Sequence, residues 1–234
     1  MKEILCVIPA RGGSKSVPKK NIALIAGKSL LAYTVEEAEK VSAISDLIVS
    51  TDDEEIASVA VSLGVQVPFL RPSELATDHA QAAPVLMHAL LEMETLKAKR
   101  YDAIMMLQPT TPLRLASHIQ TAIDMLASSD CDSVVSVVSV GGNHPFRMKR
   151  LISDQLVNFI DQGFEDMRPR QTLPPVYIRN GAVYLSRRHV VVDQQQVVGA
   201  VCLGFEMRAE DSVNIDDRLD FKLAELLLLE RGRQ

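Results

Sequence analysis

Short apolar runs alternate with segments of helical periodicity along the first 140 residues, and this alternation restricts the possible folds more than any other feature. The runs are rich in Val and Ile, as is typical of buried strands. They occupy residues 3–9, 46–51, 65–70, 101–107 and 132–140. Apolar residues recur at helical spacing over residues 30–41, 53–63, 81–99 and 115–127. This order is typical of βαβ units, so the sequence predicts an α/β protein with a mainly parallel sheet.

The alternation stops near Gly141, where the composition of the chain changes. Residues 142–179 are rich in Pro, Arg, Gln and Asp and show no clean period. A structureless loop of this length is uncommon inside a domain. We therefore interpret residues 142–179 as an arm, or small subdomain, inserted in a single domain of residues 1–234. Strand character returns over residues 182–186 and 197–205, and a Leu-rich helix is predicted over residues 217–230.

The arm carries apolar side chains that need burial. A lone arm on a domain surface cannot cover them, whereas a symmetric partner can. The sequence therefore predicts a homodimer whose arms pack across the two-fold axis. The apolar residues are Phe146, Leu151, Ile152, Leu156, Val157, Phe159 and Ile160.

Composition narrows the class of protein and its surroundings. The formal net charge of −5 argues against nucleic acid as a partner, because phosphate backbones need a basic face. The three cysteines are far apart and lack zinc-type spacing, so we expect a reducing compartment. No signal-peptide pattern is found, and the longest uncharged run, residues 56–70, is too short for a membrane span. We expect a cytoplasmic protein with no membrane partner.

The loop after the first predicted strand, residues 10–21, concentrates positive charge. It contains one Arg, three Lys and two adjacent glycines, Gly12 and Gly13. Glycine N–H groups can bind an anion, and ligands of open α/β sheets lie beyond the carboxyl ends of the strands. This favours a triphosphate at the loop, the alternative being a solvated, mobile basic segment. The P-loop motif is excluded because Ile22 stands at its first glycine, and no GxGxxG follows the strand.

Two further regions carry polar side chains suited to a ligand. Gln108 and Thr110 offer neutral hydrogen-bond donors and acceptors in a proline-rich segment, which would suit the edge of a sugar or a base. The alternative is that this segment is only a turn. Asn214 and Asp216 alternate on an extended stretch and therefore share one face. Their oxygens would suit Mg²⁺ bridging substrate phosphates. Asp216 or Asp217 can also cap the last helix, and both roles can hold together.

The first loop and the later segments resemble the signature of the acylneuraminate cytidylyltransferases, also called CMP-sialic acid synthetases. The first motif runs Ile8-Pro9-Ala10-Arg11-Gly12-Gly13-Ser14-Lys15 and continues as Pro18-Lys19-Lys20-Asn21. The later segments are STDDEEIA from Ser50, RPSELATD from Arg71, LQPTTPLR from Leu107, HPF from His144, RPRQTLPPVYIRNGAVY from Arg168 and VNIDD from Val213. The resemblance therefore spans nearly the whole chain.

The resemblance implies a Rossmann-like nucleotide-binding domain of three layers with a small dimerisation arm. It also implies transfer of CMP from CTP to the anomeric hydroxyl of a sialic-type sugar acid, with Mg²⁺ as cofactor and pyrophosphate as product. The residues implied to bind the nucleotide are Arg11, Gly12, Ser14, Lys20, Asn21 and Arg71. Among them, Lys20 would contact the phosphates and Arg71 would contact cytosine. The residues implied to bind the sugar acid are Gln108, Tyr184, Arg147 and Arg170. Arg147 and Arg170 belong to the arm and would reach the sugar acid in their own subunit or in its partner. The residues implied to be catalytic are Arg11, Lys20 and Asp216, and those implied to hold the metal are Asn214 and Asp216.

Three positions depart from the family pattern. Asn214 stands where the family usually has Asp, Ser16 where it has Gly, and Ala82 where Ser is frequent. An amide oxygen can coordinate Mg²⁺, but without the charge of a carboxylate. No residue indicates a general base, so catalysis is expected to rest on positioning and charge. The alternatives are a legionaminic, pseudaminic or 3-deoxy-octulosonic acid as substrate, and a catalytically weakened nucleotide-binding paralogue.

Overall fold

A central sheet of six strands organises the chain. The computed structural model describes residues 2–13, 19–161, 163–164 and 166–233. Its strands are β1 (Ile4–Pro9), β4 (Asp46–Ser50), β5 (Ala103–Met106), β6 (Ser133–Ser139), β9 (Tyr177–Arg187) and β10 (Cys202–Glu206). Their order in the sheet is β10–β6–β9–β5–β1–β4, and only β9 among them runs opposite to the others. The mainly parallel sheet predicted from the sequence is confirmed.

Helices cover both faces of the sheet and make three layers. Successive residues of β1 point to opposite faces, so Cys6 and Ile8 enter one core cluster while Leu5 and Val7 enter the other. The first face is covered by α1 (Leu30–Glu39), α2 (Glu54–Ser62) and α4 (Ala116–Ala127). The second face is covered by α3 (Ala82–Lys97) and α5 (Arg188–Val192). The α/β class and the layered arrangement agree with the prediction.

Local capping signals determine where several helices begin and end. Ser29 accepts a hydrogen bond from the Ala32 N–H at 3.2 Å and begins α1. Asp53 accepts from the Glu55 and Ile56 N–H groups and begins α2, while Gly64 follows that helix with a φ of 85°. Such a cap contributes about 1 kcal/mol. The last helix, α6 (Arg218–Arg231), is capped by Asp217.

A third, smaller core lies beneath α6. It brings the C-terminal segment against a short hairpin formed by β2 (Leu24–Ile25) and β3 (Lys28–Ser29). Ile25, Ile215 and Leu228 are buried there together. This packing fixes the segment around Ile215 close to the loop that follows β1.

The structure corrects several predicted elements. Residues 65–70 form isolated bridges at Gln66 and Leu70 rather than a strand, because Pro68 has no N–H to donate to a ladder. The second strand predicted after the arm begins at Cys202 rather than at residue 197. The β2–β3 hairpin and α5 were not predicted. Among the described residues, no helix has the length and apolar character needed to cross a bilayer.

The predicted arm contains a hairpin and also the beginning of a sheet strand. The hairpin consists of β7 (Lys149–Ile152) and β8 (Gln155–Asn158), and it lies outside the central sheet. β9 begins at Tyr177, within the range predicted for the arm. Leu151 and Leu156, which face each other across the hairpin, are 68% and 72% exposed. The hairpin therefore presents an apolar surface that its own chain leaves uncovered.

Candidate active site

A cleft of about 470 Å³ lies at the carboxyl ends of β1 and β5. Parallel strands bring the loops that follow them to one edge, where ligands of open α/β sheets bind. Five residues predicted for the site line this cleft: Arg11, Lys20, Asn21, Arg71 and Gln108. Thr110, which was predicted together with Gln108 as a possible ligand contact, also lines the cleft. The structure thus collects side chains from three segments: the loop after β1, the segment that begins at Arg71 and the loop after β5.

Gly12 sits where the chain leaves β1 and passes close to the segment after β4. A Cβ at residue 12 would lie 2.5 Å from Asp53 Oδ2, so this approach requires glycine. The Gly12 N–H donates to Asp52 Oδ1 at 3.1 Å, and Asn21 Nδ2 donates to the Arg11 carbonyl at 3.0 Å. These contacts hold both ends of the loop. Ser14 and Ser16 lie outside the described residues.

The first two cations of the cleft have partners in the same chain. Arg11 Nη1 lies 2.8 Å from Asp78 Oδ1, and both side chains are about one third exposed. Lys20 Nζ donates to the Ile215 carbonyl at 2.7 Å. Burial lowers the pKa of Lys20 below its ordinary value, while Asp216 opposes that shift. An arriving phosphate group would stabilise the charged ammonium at this half-buried position.

Arg71 is buried at the wall of the cleft. Its backbone N–H donates to the Thr51 carbonyl at 2.7 Å, which joins the loop to the end of β4. Its Nε donates to Ser50 Oγ at 3.2 Å, and its two terminal nitrogens donate to the Ser50 and Leu75 carbonyls. Burial lowers the pKa of this guanidinium, with Asp52 opposing. Three of its five N–H donors are used, which leaves two for a ligand.

Tyr184 lies beside the cleft rather than on its lining. Tyr184 lies on β9 and pairs with Met106 of β5, which does line the cleft. Both side chains pack in the core on the sheet face that α3 covers. Burial raises the pKa of the Tyr184 phenol. Of the two predicted sugar-pocket residues, Gln108 thus follows the end of β5 by two residues, and Tyr184 lies on the adjoining strand β9.

A bulge in β9 shapes the cleft wall behind Gln108. The pairing of β6 with β9 shifts between Val135 and Val137, so residues 180–183 of β9 face Ser136 alone. Asn180 fills the bulge: its Oδ1 accepts from Ser136 Oγ at 2.6 Å and its Nδ2 donates to Ser212 Oγ at 2.9 Å. Bulges of this kind redirect the chain next to functional sites. Here the bulge carries Gly181 and Ala182 toward the loop after β5.

Arg114 ties that loop to the bulge. It is fully buried, and its Nη1 donates to Ala182 O and Thr111 Oγ1 at 2.8 Å each and to Gln108 O at 3.3 Å. Burial lowers the pKa of Arg114 to about 10, so it keeps its charge at neutral pH. Arg114 and Asp78 lie within the segments LQPTTPLR and RPSELATD, but no local sequence signal indicates their roles.

Arg147 and Arg170, the arm arginines predicted to bind the sugar acid, do not line the cleft of their own chain. Arg147 Nη2 donates to the Arg168 carbonyl at 2.7 Å. Arg170 lines a separate cavity of about 200 Å³ at the base of the arm, together with His144. Neither lines the main cleft. A role at the sugar acid would therefore need an arm from a second subunit.

Asn214 and Asp216 do share one side of the chain, as predicted from their alternation. Asn214 Nδ2 donates to Asp216 Oδ2 at 2.9 Å, while Asn214 Oδ1 is buried and accepts no hydrogen bond from the described residues. Asp217, rather than Asp216, caps α6 by accepting from the Leu219 and Asp220 N–H groups. The Asp216 carboxylate is therefore available for another role.

These donors can be tested against the magnesium expected from the resemblance. An unpaired amide oxygen and an exposed carboxylate are oxygen donors of the kind Mg²⁺ takes, with phosphates completing the set. These donors therefore fit Mg²⁺. The Asn214 side chain now directs its nitrogen at Asp216, so the amide group would have to rotate by about half a turn before its oxygen could share an ion with that carboxylate. Across the described residues, no group of three or more His, Cys, Asp or Glu is arranged to hold a metal ion.

The sequence is similar to a family model and to several known proteins over most of its length. A family model described as cytidylyltransferase matches residues 5–201. The N-acylneuraminate cytidylyltransferase of Escherichia coli O18:K1:H7 is 33% identical, and the match covers 99% of this chain and 54% of that one. The chain thus spans about half of that relative. The CMP-N,N'-diacetyllegionaminic acid synthase of Legionella pneumophila is 32% identical, with 96% of each chain covered.

A solved structure shares the fold. The chain matches a CMP:2-keto-3-deoxy-manno-octonic acid synthetase, solved in complex with CTP, with a TM-score of 0.74. The match covers 98% of this chain and 99% of that one at 17% sequence identity. At this identity the likeness establishes the architecture of the sheet and its layers.

Proposed function

Since the chain belongs to the cytidylyltransferase family, we propose that it transfers CMP from CTP to the anomeric hydroxyl of a sialic-type sugar acid and releases pyrophosphate. Membership makes it a nucleotidyltransferase. One observation carries the proposal: the cleft gathers Arg11, Lys20, Asn21 and Arg71 beside the neutral amide of Gln108. Cations suit a triphosphate, and a neutral amide suits sugar hydroxyls.

The reaction joins two anions, so charge compensation is the main task of the site. The anomeric hydroxyl oxygen of the sugar acid attacks the α-phosphorus of CTP, and its proton passes to solvent. The bond from the α-phosphorus to the bridging oxygen of the β-phosphate breaks, and pyrophosphate leaves with that electron pair. Arg11 and Lys20 supply positive charge at the phosphates. Arg71 and Asn21 hold the nucleotide, with Arg71 offering its two remaining donors to cytosine. No general base is assigned.

We propose Mg²⁺ as the cofactor, held by the Asp216 carboxylate, the Asn214 amide oxygen and the phosphates of CTP. When bound, the ion neutralises charge on the phosphates and on the departing pyrophosphate. Lys20 lies next to this group, since its Nζ donates to the carbonyl of Ile215, the residue between the two donors. Asp216 and Lys20 therefore act on the same end of the substrate.

We propose a homodimer in the cytoplasm. The exposed apolar face of the β7–β8 hairpin supports the dimer, because side chains such as Leu151 and Leu156 lie largely in solvent within one chain. Arms that pack across a two-fold axis would bring Arg147 and Arg170 to the cleft of the neighbouring subunit. Arginine suits a sugar carboxylate because it can bind both oxygens.

Other sugar acids are compatible with the same site. A legionaminic, pseudaminic or 3-deoxy-octulosonic acid would use the same nucleotide end and differ where the sugar lies. Asn214 motivates a second candidate, a paralogue that binds nucleotide but turns over slowly, because its amide brings no charge to the metal.

The decisive experiment is pyrophosphate release with CTP, Mg²⁺ and a panel of these sugar acids. We expect turnover with at least one of them and none with CTP alone. CTP binding without turnover of any sugar acid in the panel would favour the paralogue. Absence of both binding and turnover would reject the proposal.

A further inference from the structure

The amide end of Gln108 occupies the space beside Gly181 that a side chain would fill. A Cβ at residue 181 would lie 2.5 Å from Gln108 Oε1, 3.5 Å from Thr111 Cγ2 and 3.7 Å from Asn214 Oδ1. The first separation is shorter than any unbonded carbon–oxygen contact. Gly181 also has a φ of 79°, a conformation that favours glycine. The present orientation of Gln108 therefore depends on the absence of a side chain at residue 181.

The main chain of Gln108 is held by the same bulge. Arg114 Nη1 links the Gln108 carbonyl to the carbonyl of Ala182, the residue after Gly181. Asn180, on the other side of Gly181, is anchored to Ser136 and Ser212. The backbone of Gln108, through Arg114, and its side chain thus both contact the bulge of β9.

We propose that Gly181 is a positioning residue that sets the Gln108 amide for the sugar acid, an inference that rests on the proposed function. Gln108 Oε1 lies beside the Cβ position of residue 181, and Gln108 lines the cleft. An amide oxygen held in one place can accept a hydrogen bond from an O–H or N–H donor. The Gln108 amide would therefore bind a hydroxyl or amide N–H group of the sugar acid.

The first test needs no turnover. In protein labelled with ¹⁵N-glutamine, the Gln108 side-chain NH₂ signal is identified by its loss in Gln108→Ala. We expect Gly181→Ala to move this signal. Gly64→Ala is the matched control, because Gly64 has a φ of 85° but nothing within 4 Å of its Cβ position. A Gln108 signal that stays unmoved in folded Gly181→Ala would overturn the proposal.

The second test separates the displaced amide from backbone strain. Gly181→Ala should raise KM for the sugar acid about tenfold, the loss of one neutral hydrogen bond, and leave KM for CTP unchanged. The double variant Gly181→Ala/Gln108→Ala should have the same KM for the sugar acid as the single variant Gln108→Ala. Equal effects in both backgrounds would show that strain, and not Gln108, is responsible.

A variant that fails to fold is also informative. If Gly181→Ala is unstable because of the contact with Gln108, then Gln108→Ala should restore its thermal stability to that of Gly64→Ala. No restoration would overturn the proposal. A wild-type enzyme without pyrophosphate release would reject the proposed function instead, while the Gln108 signal would still report on Gly181.

Discussion

The cleft and the arm differ in where their side chains find partners. In the cleft, Arg11, Lys20 and Arg71 each bind an oxygen of the same chain. In the arm, Leu151 and Leu156 are mostly exposed. One chain therefore supplies partners for the cations of its own cleft, whereas the apolar side chains of its arm lie in solvent, as expected if the proposed second subunit covers them. Changes in the cleft should therefore alter chemistry first, whereas changes in the arm should alter assembly first.

The largest expected effect is on the cleft side. Lys20→Ala should reduce turnover by about 10²–10³-fold, because one preorganised charge at the phosphates is lost. Stability should fall by only about 1 kcal/mol, the worth of its hydrogen bond to Ile215. Pyrophosphate release and thermal unfolding check both parts. Lys28→Ala is the control, since Lys28 is an exposed cation paired with Glu36. Near wild-type turnover by Lys20→Ala would contradict the assignment.

On the arm side, Leu156→Asp should shift the protein to monomers and lower activity at least tenfold, because a charge cannot be buried in an apolar interface. Light scattering and pyrophosphate release measure the two effects. Leu219→Asp on α6 is the matched control, with a wild-type exposure of 73% against 72% for Leu156. A fully active wild-type monomer would refute the dimer.

Shared sites can be tested by mixing subunits. A dimer of one Lys20→Ala chain and one Arg170→Ala chain would keep one intact site if Arg170 acts across the interface. After complete exchange, half of the dimers are mixed, so about one quarter of wild-type activity should return. No recovery after confirmed exchange would mean that each site is built within one chain.

A smaller effect should follow a change at the metal donors. Asn214→Asp adds a carboxylate beside Asp216 and should lower the Mg²⁺ concentration for half-maximal activity several-fold. Direct titration of Mg²⁺ in the presence of CTP gives a readout that does not depend on turnover. Asp220→Asn is the control, because its carboxylate accepts from the Asp216 and Asp217 N–H groups and lies on the helix cap. An unchanged Mg²⁺ requirement in Asn214→Asp would argue against residue 214 as a ligand.

The smallest expected effect concerns nucleotide choice. A ligand at 100 times its Kd stabilises a protein by about 2.7 kcal/mol, which is several degrees of Tm for a chain of this size. CTP should produce such a shift, and ATP or GTP at the same concentration should produce much less, because Arg71 offers its donors to cytosine. Equal shifts for all three nucleotides would argue against that role of Arg71.

The sequence was sufficient for the parts of the molecule that follow local rules. The apolar run of β1 and the caps at Asp53 and Asp217 act over a few residues, and the predicted sheet and helices agree with them. The loop after β1 was placed at the cleft because parallel strands bring such loops to one edge.

The remaining features depend on distant partners or on weak local signals. The β7–β8 hairpin has residues exposed on both faces, so no alternation marked it. The bulge at residues 180–183 arises from the register of β9 against β6, and the importance of Gly181 follows only from that register.

The place of β9 in the sheet also determines the order in which a nascent chain can fold. β4, β1 and β5 are neighbours and come from the first half of the sequence, so they can pair early. β6 ends at Ser139 and pairs with β9 and β10 in the described sheet, whereas β9 begins at Tyr177. At 5–20 residues per second, the Val-rich β6 must wait roughly 2–8 s for its first partner. During this interval it is an unpaired apolar strand, the kind of segment that chaperones protect.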